Sequence, residues 1–292
     1  MHPTLITAAD SGIFTIGRDL PVHRLGFGAM RLTGRGIWGE PKNPEEARRV
    51  LRRTIDLGIN FIDTADSYGP EVSEQLIGET LWPYPNGLVV ATKSGLTRQG
   101  ADLWAPVGRA EYLRQQLEMS LRRLRVDCVE LYQLHRIDPR VPMEESLGAF
   151  RDFQTQGKIR HIGLSEVTPD EIEKARLIVD VVTVQNRYNL LDREHEPALR
   201  YCEQHKLGFI PWFPMGAGKL ARTGGPLDQV ARRHGVSVAQ LSIAWLLHRS
   251  PVMLPIPGTS SVLHLEENVA SVNLRLDERE WGVLEEAVAK QR

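Results

Sequence analysis

The 292-residue sequence predicts an α/β protein, a (β/α)8 TIM barrel. Three observations predict it. Eight short runs rich in β-branched residues alternate with longer amphipathic stretches along the chain. Most of the runs are continuously apolar, as strands covered on both faces are. No linker-like stretch divides them, which favours a closed barrel over an open doubly wound sheet and makes residues 1–292 one domain.

The elements follow in order. A short N-terminal β-hairpin is expected around residues 12–20, where Ile13, Phe14 and Ile16 meet a Gly17-Arg18-Asp19 turn. The eight barrel runs lie at 24–29, 60–65, 88–93, 128–135, 159–165, 181–186, 208–213 and 252–257. The first helix opens with Asn43 as cap and Pro44 at the first helical position, and Gly58 closes it. Thr168-Pro169 starts another helix in the same way. Pro142-Met143-Glu144-Glu145 puts acids in a first turn, where the helix dipole favours them. Extra helices are expected near the C-terminus, the last over 277–289. Residues 95–108 are too long and polar for a tight connection and read as a loop at the barrel mouth.

Composition narrows the function. Lys plus Arg number 36 against 37 Asp plus Glu, so no basic excess points to nucleic acid. No stretch approaches the ~18 apolar residues of a membrane span, and the first residues do not form a secretory leader. The two cysteines, Cys128 and Cys202, lie far apart in apparent secondary structure and read as buried thiols. The expectation is a cytoplasmic protein acting on a small molecule. No heptad pattern speaks to oligomeric state.

Asp63, Lys93 and His135 stand at or near the C-terminal ends of successive runs, and Tyr68 follows the second run in Ser67-Tyr68-Gly69. Singly, each has a plain structural explanation; in a barrel, all four converge at one mouth. A free phenol, with a pKa of about 10, is a reluctant acid at neutral pH. An ammonium beside it lowers that value, so Lys93 is expected to make Tyr68 a better proton donor. Asp63 would keep Lys93 protonated, and His135 would hydrogen-bond a substrate oxygen. The set suits carbonyl reduction. A metal site has little support, because no second His, Cys or acid lies at ligand spacing. Gly26-Phe27-Gly28 is followed by Arg31 where a Rossmann fingerprint needs glycine, and Gly218-Lys219 by Leu220 where a Walker loop needs Ser or Thr.

From about Gly12 to the last helix the sequence resembles the aldo-keto reductase family. The resemblance rests on Asn-Phe-Ile-Asp-Thr-Ala-Asp-Ser-Tyr-Gly at 60–69, Val-Val-Ala-Thr-Lys at 89–93 and Gly-Lys-Ile-Arg-His-Ile-Gly-Leu-Ser at 157–165. Val-Gln-Asn-Arg-Tyr-Asn at 184–189 and Leu-Pro-Ile-Pro-Gly-Thr-Ser-Ser at 254–261 follow in family order. Pro211-Trp212-Phe213-Pro214-Met215-Gly216 looks like the bacterial reductases of that family that read Pro-x-Phe-Pro-x-Gly.

The resemblance implies that Asp63, Tyr68, Lys93 and His135 are catalytic and that a nicotinamide cofactor lies across the barrel mouth. Ser165 and Gln185 would bond its carboxamide, Trp212 would stack on the ring, and Phe213, Pro214 and Met215 would lie alongside. Gly216, Gly218, Lys219 and Leu220 would wrap the pyrophosphate. Gly258, Thr259, Ser260, Ser261, His264, Glu267 and Asn268 would hold the adenosine end, and Ala29, Met30 and Arg31 would touch the cofactor after the first run. Substrate contacts are expected from Tyr68, His135, Trp104 and Trp38.

Two departures stand out. Glu166 occupies the position where the family commonly has asparagine, and a carboxylate cannot donate to the carboxamide oxygen. Ser260 stands where an arginine often contacts a 2′-phosphate. NADP(H) is favoured, with NAD(H) open. The alternatives are a cofactor-binding regulatory, channel-subunit-like barrel and a lyase using Lys93 as a Schiff-base amine. The chain stops soon after residues 277–289, so an open, permissive pocket is expected.

Overall fold

The computed structural model describes residues 6–214 and 224–289. The hairpin forms as expected: β1 (Ile13–Ile16) pairs antiparallel with β2 (Leu20–His23). Gly17 and Arg18 take positive φ of 59° and 76° at its turn.

Seven strands then form one parallel sheet. They are β3 (Phe27–Gly28), β4 (Phe61–Asp63), β5 (Val89–Ser94), β8 (Val129–Leu134), β9 (Ile159–Ser165), β10 (Val181–Gln185) and β11 (Gly208–Phe209). They pair in this chain order, as successive β–helix units require. Helices α1 (Pro44–Asp56), α2 (Val72–Leu81), α3 (Ala110–Leu124), α4 (Met143–Thr155), α5 (Pro169–Arg176) and α6 (Glu196–His205) connect the strands. After β11 come α7 (Pro226–Arg233), α8 (Val238–Arg249), α9 (Val262–Ala270) and α10 (Glu278–Ala289). The cap signals hold. Asn43 accepts from the Glu46 N–H, Thr168 and Glu171 make a reciprocal capping box, and Gly58 takes a φ of 76°.

The structure departs from the expectation at two segments. Residues 252–257 build no ladder. Instead the Phe209 N–H donates to the Val252 carbonyl and the Leu254 N–H to the Phe209 carbonyl, at 2.9 and 2.8 Å. On the other side the Gly26 N–H donates to the Pro255 carbonyl at 2.9 Å, so the segment bonds to both edges of the sheet. Pro251, Pro255 and Pro257 lack the N–H groups that a regular strand would use. The second is the connection 95–108, a β-hairpin of β6 (Leu96–Gly100) and β7 (Leu103–Pro106) rather than an irregular loop.

Strand alternation explains where the site lies. Phe61 and Asp63, Val89, Ala91 and Lys93, and Leu131 and Gln133 are spaced by two, so each set shares one face. The apolar members pack with Ile16, Leu20 and Val22 of the hairpin in one buried cluster, which leaves the polar members at the C-terminal end of the same face. The opposite face meets the helices, as with Ile62 against α1 and α2, and Tyr132 against Phe150 and Phe153 of α4. Gly163 makes room within the polar level: a Cβ there would lie 2.3 Å from Thr183 Oγ1 and 2.8 Å from Gln133 Cγ. Cys202 is buried and Cys128 partly so; both are free thiols.

Candidate active site

The strand ends bring Asp63, Tyr68, Lys93 and His135 together at the base of a cavity of about 740 Å³. Lys93 is fully buried, and its ammonium has three partners. It donates to Asp63 Oδ2 at 2.5 Å and to the Thr64 carbonyl at 2.8 Å, and it lies 3.5 Å from the Tyr68 hydroxyl. Asp63 Oδ1 accepts from the side-chain amides of Gln133 and Gln185, at 3.0 and 2.8 Å. The carboxylate is therefore fixed by two neutral donors on one oxygen and by the ammonium on the other. Such a pair is tolerated in a buried site because its remaining lone pairs are satisfied.

Burial works to deprotonate Lys93, but the Asp63 carboxylate and Tyr68 outweigh it and hold the ammonium above its ordinary value. Burial pushes the Tyr68 phenol up, and the Lys93 charge pulls it back only in part. This corrects the expectation of a phenol made acidic outright, since desolvation outweighs the neighbouring charge. Tyr68 keeps its proton throughout the neutral range, and Lys93 stabilises the phenolate once that proton leaves.

Burial, with the charges of Lys93, Arg136 and Arg98, drives His135 well below its usual pKa, so its imidazole is neutral. Its Nδ1 faces the Ser67 hydroxyl at 3.3 Å. With the Ser67 hydroxyl donating to Nδ1, Nε2 carries the hydrogen and becomes a donor. The rings of Tyr68, His135 and Trp104 meet edge-on, with centroids 5.7 to 6.4 Å apart. Because the unfolded chain takes up a proton at His135 near pH 6.5 and the folded one does not, this residue supports stability above that pH. Unfolding free energy should fall by up to about 1.4 kcal/mol per pH unit below 6.5. Urea titrations at successive pH values check this, and His135→Gln should flatten the profile.

Of the expected cofactor positions, Met30, Arg31, Ser165, Gln185, Trp212, Phe213, Pro214 and Gly258 line the same cavity. Trp104 lines it too. Trp38 does not; it lies beside the Arg98 guanidinium, 5.6 Å from its ring centroid, and Ile37 takes its place in the wall. Ala29 is fully buried, and its carbonyl faces Ser73. Ser260 lies in a neighbouring cavity of about 560 Å³ with Arg31, Arg35 and Lys42. Thr259 is buried with its hydroxyl accepting from the Ser261 N–H. Ser261 stands at the N-cap position of α9 without a side-chain capping bond, His264 is exposed, and the Glu267 carbonyl accepts from Gln240. Asn268 is buried with an unpartnered side-chain nitrogen. Met215, Gly216, Gly218, Lys219 and Leu220 lie outside the described residues.

Glu166 does not line the cavity. It takes a positive φ of 56°, and its Oε1 accepts from the Trp212 indole N–H at 2.5 Å and the Arg187 N–H at 2.6 Å. Burial would raise its pKa, but His195, Trp212, Arg136 and the Arg187 N–H together hold the carboxyl at about 2.

Arg136, Gln133 and Arg98 are among the residues of the site that escaped the sequence reading. Arg136 donates to the Ser165 hydroxyl at 3.0 Å, and its place directly after His135 was a usable signal. Gln133 holds Asp63 and shares the Lys93 face by the two-residue period. Arg98 stacks 3.6 Å from the Trp104 ring centroid and donates to the Ile37 and Ser67 carbonyls; nothing local marks it.

A sequence model described as the aldo/keto reductase family matches residues 24–289. The chain is 50% identical to an uncharacterised oxidoreductase of Schizosaccharomyces pombe, over 96% of this chain and 91% of that one. It is 39% identical to pyridoxine 4-dehydrogenase of Escherichia coli, over 94% of this chain and 98% of that one. Among solved structures it is similar to an aldo-keto reductase from Klebsiella pneumoniae in complex with NADPH. That likeness has a TM-score of 0.80 and 26% identity, and covers 94% of both chains.

Proposed function

Since the chain belongs to the aldo/keto reductase family, we propose that it is an NADP(H)-dependent oxidoreductase that reduces an aldehyde or ketone to an alcohol, with Asp63, Tyr68, Lys93 and His135 as its catalytic residues. The observation that carries this reading is the Lys93 ammonium, bonded to Asp63 and facing the Tyr68 hydroxyl at the base of the cavity. The seven-stranded sheet, with residues 252–257 bonded to both of its edges, supports an eight-unit barrel whose mouth is this cavity. Residues 1–292 are read as one domain. The free thiols, and the lack among the described residues of a helix able to cross a membrane, fit a cytoplasmic enzyme.

The cavity suits the cofactor. Trp212 offers a flat apolar wall, and Ser165 and Gln185 offer polar groups beside it. Arg31 lines both this cavity and its neighbour, where Arg35, Lys42 and Ser260 present cations and a hydroxyl to a phosphate. When bound, the nicotinamide supplies the hydride.

The protein's own groups do the rest. The neutral His135 imidazole donates to the substrate oxygen and orients the carbonyl beside Tyr68. Tyr68 passes its proton to that oxygen, and Lys93 stabilises the phenolate that remains. Gln133 and Gln185 hold Asp63, so the ammonium keeps its position through this change. Trp104, Leu96 and Pro106 of the β6–β7 hairpin line one side of the pocket. The Schiff-base alternative for Lys93 meets an obstacle, because all of its partners favour the protonated amine.

Purified protein should oxidise NADPH when given an activated aromatic aldehyde, followed at the nicotinamide absorbance. Absence of oxidation across a panel of aldehydes, ketones, sugars and pyridoxal would contradict the reading. Ser260→Arg adds a cation to the second cavity and is expected to raise the preference for NADPH over NADH by about tenfold. An unchanged ratio of the two kcat/KM values would place the 2′-phosphate elsewhere.

A further inference from the structure

We propose that Glu166 is a positioning residue: its carboxylate fixes the Trp212 indole as the wall against which the nicotinamide end of the cofactor seats. The proposal rests on the NADP(H) reading above for what seats there, and on geometry for the rest.

The Glu166 carboxylate is held on both oxygens. Oε1 takes the Trp212 Nε1–H and the Arg187 N–H. Oε2 faces His195 Nε2 at 3.7 Å. The His195 tautomer follows from its neighbour. The Asn186 amide oxygen accepts from the Val167 N–H, and its nitrogen donates to the Val167 carbonyl at 2.7 Å. The same nitrogen lies 3.0 Å from His195 Nδ1, which therefore accepts, and Nε2 carries its hydrogen toward Glu166.

The backbone supports the same placement. Glu166 follows the last residue of β9 in a left-handed conformation that a glutamate adopts only at a cost, and its N–H bonds to the Gln185 carbonyl at 3.0 Å. Trp212 is anchored to the same stretch, its N–H donating to the Asn186 carbonyl at 3.1 Å. Arg187 lies over both the Trp212 and Phe213 rings, 5.8 and 5.3 Å from their centroids. The indole is thus tied at its backbone and at its ring nitrogen. A lone aromatic wall without the second tie would lose rotamer entropy on binding, which a preorganised wall does not.

The test is a double-mutant cycle read by NADPH binding rather than turnover, using calorimetry with near-ultraviolet circular dichroism of each protein. Glu166→Ala should weaken NADPH binding by about tenfold and reduce the tryptophan dichroism. Glu166→Gln should bind NADPH more tightly than Glu166→Ala, because one amide oxygen can accept both bonds that Oε1 accepts, although its NH2 loses the contact that Oε2 makes with His195. In a Trp212→Phe background, Glu166→Ala should add nothing. An additive cycle, or a Gln variant as weak as the Ala variant, overturns the proposal. Failure of the unsubstituted protein to bind NADPH contradicts the cofactor reading instead, and the dichroism of the same variants still decides whether Glu166 orders the indole.

Discussion

Tyr68→Phe is expected to lower kcat for aldehyde reduction by about 10³-fold while NADPH binding changes by less than about twofold. The hydroxyl is the one group in the cavity that combines a proton with a charge ready to stabilise its loss, since Lys93 Nζ stands 3.5 Å away. Phenylalanine keeps the ring and its edge-on contacts with His135 and Trp104, so the pocket keeps its shape. It also leaves Lys93 bonded to Asp63 and the Thr64 carbonyl, so no buried charge is orphaned. The loss should fall on kcat and on kcat/KM alike, because the missing proton transfer belongs to the transition state. Steady-state kinetics beside a direct binding titration separates the two quantities. Turnover that survives in this variant would assign the proton to His135 or to water.

Lys93→Met should cost about 3–5 kcal/mol of folding stability as well as nearly all turnover. The methionine fills the volume of the lysine stem but leaves the Asp63 carboxylate buried, with only Gln133 and Gln185 as partners. Asp63→Asn combined with Lys93→Met removes that uncompensated charge. The asparagine oxygen can still accept both glutamine amides, so the pair should regain most of the lost stability. Activity should not return, because Tyr68 would have no ammonium beside it. Urea denaturation of the single and double variants measures this. A double variant as unstable as Lys93→Met would mean that the pair is not what makes the single change costly.

The fold was legible wherever local chemistry and burial agree. Asn43-Pro44 and Thr168-Pro169 start helices because a side-chain oxygen meets a free N–H there, and both caps are present. The continuous apolar runs announced strands covered on both faces, and their C-terminal ends already marked Asp63 and Lys93. The segment 252–257 misled because its apolar character indicates burial while its prolines deny it a ladder. The hairpin 95–108 was hidden because β6 is mostly polar and the apolar residues of β7 are exposed or half-buried, so no hydrophobic alternation marks them. At the site, the ionisable residues at strand ends were readable; contacts made across the mouth were not. Arg98 on Trp104 depends on how a hairpin folds back, and Glu166 on Trp212 depends on a left-handed turn that no pattern of residue types displays.

The proposal that Asp63, Tyr68, Lys93 and His135 reduce a carbonyl with cofactor hydride is tested most directly by isotope transfer. The protein would be given NADPH deuterated at both C4 positions together with an aromatic aldehyde, and the alcohol product analysed by mass spectrometry and NMR. The expected product carries one deuterium on the carbinol carbon and a hydroxyl proton drawn from water. An alcohol without carbon-bound deuterium, or no alcohol at all, would contradict the mechanism.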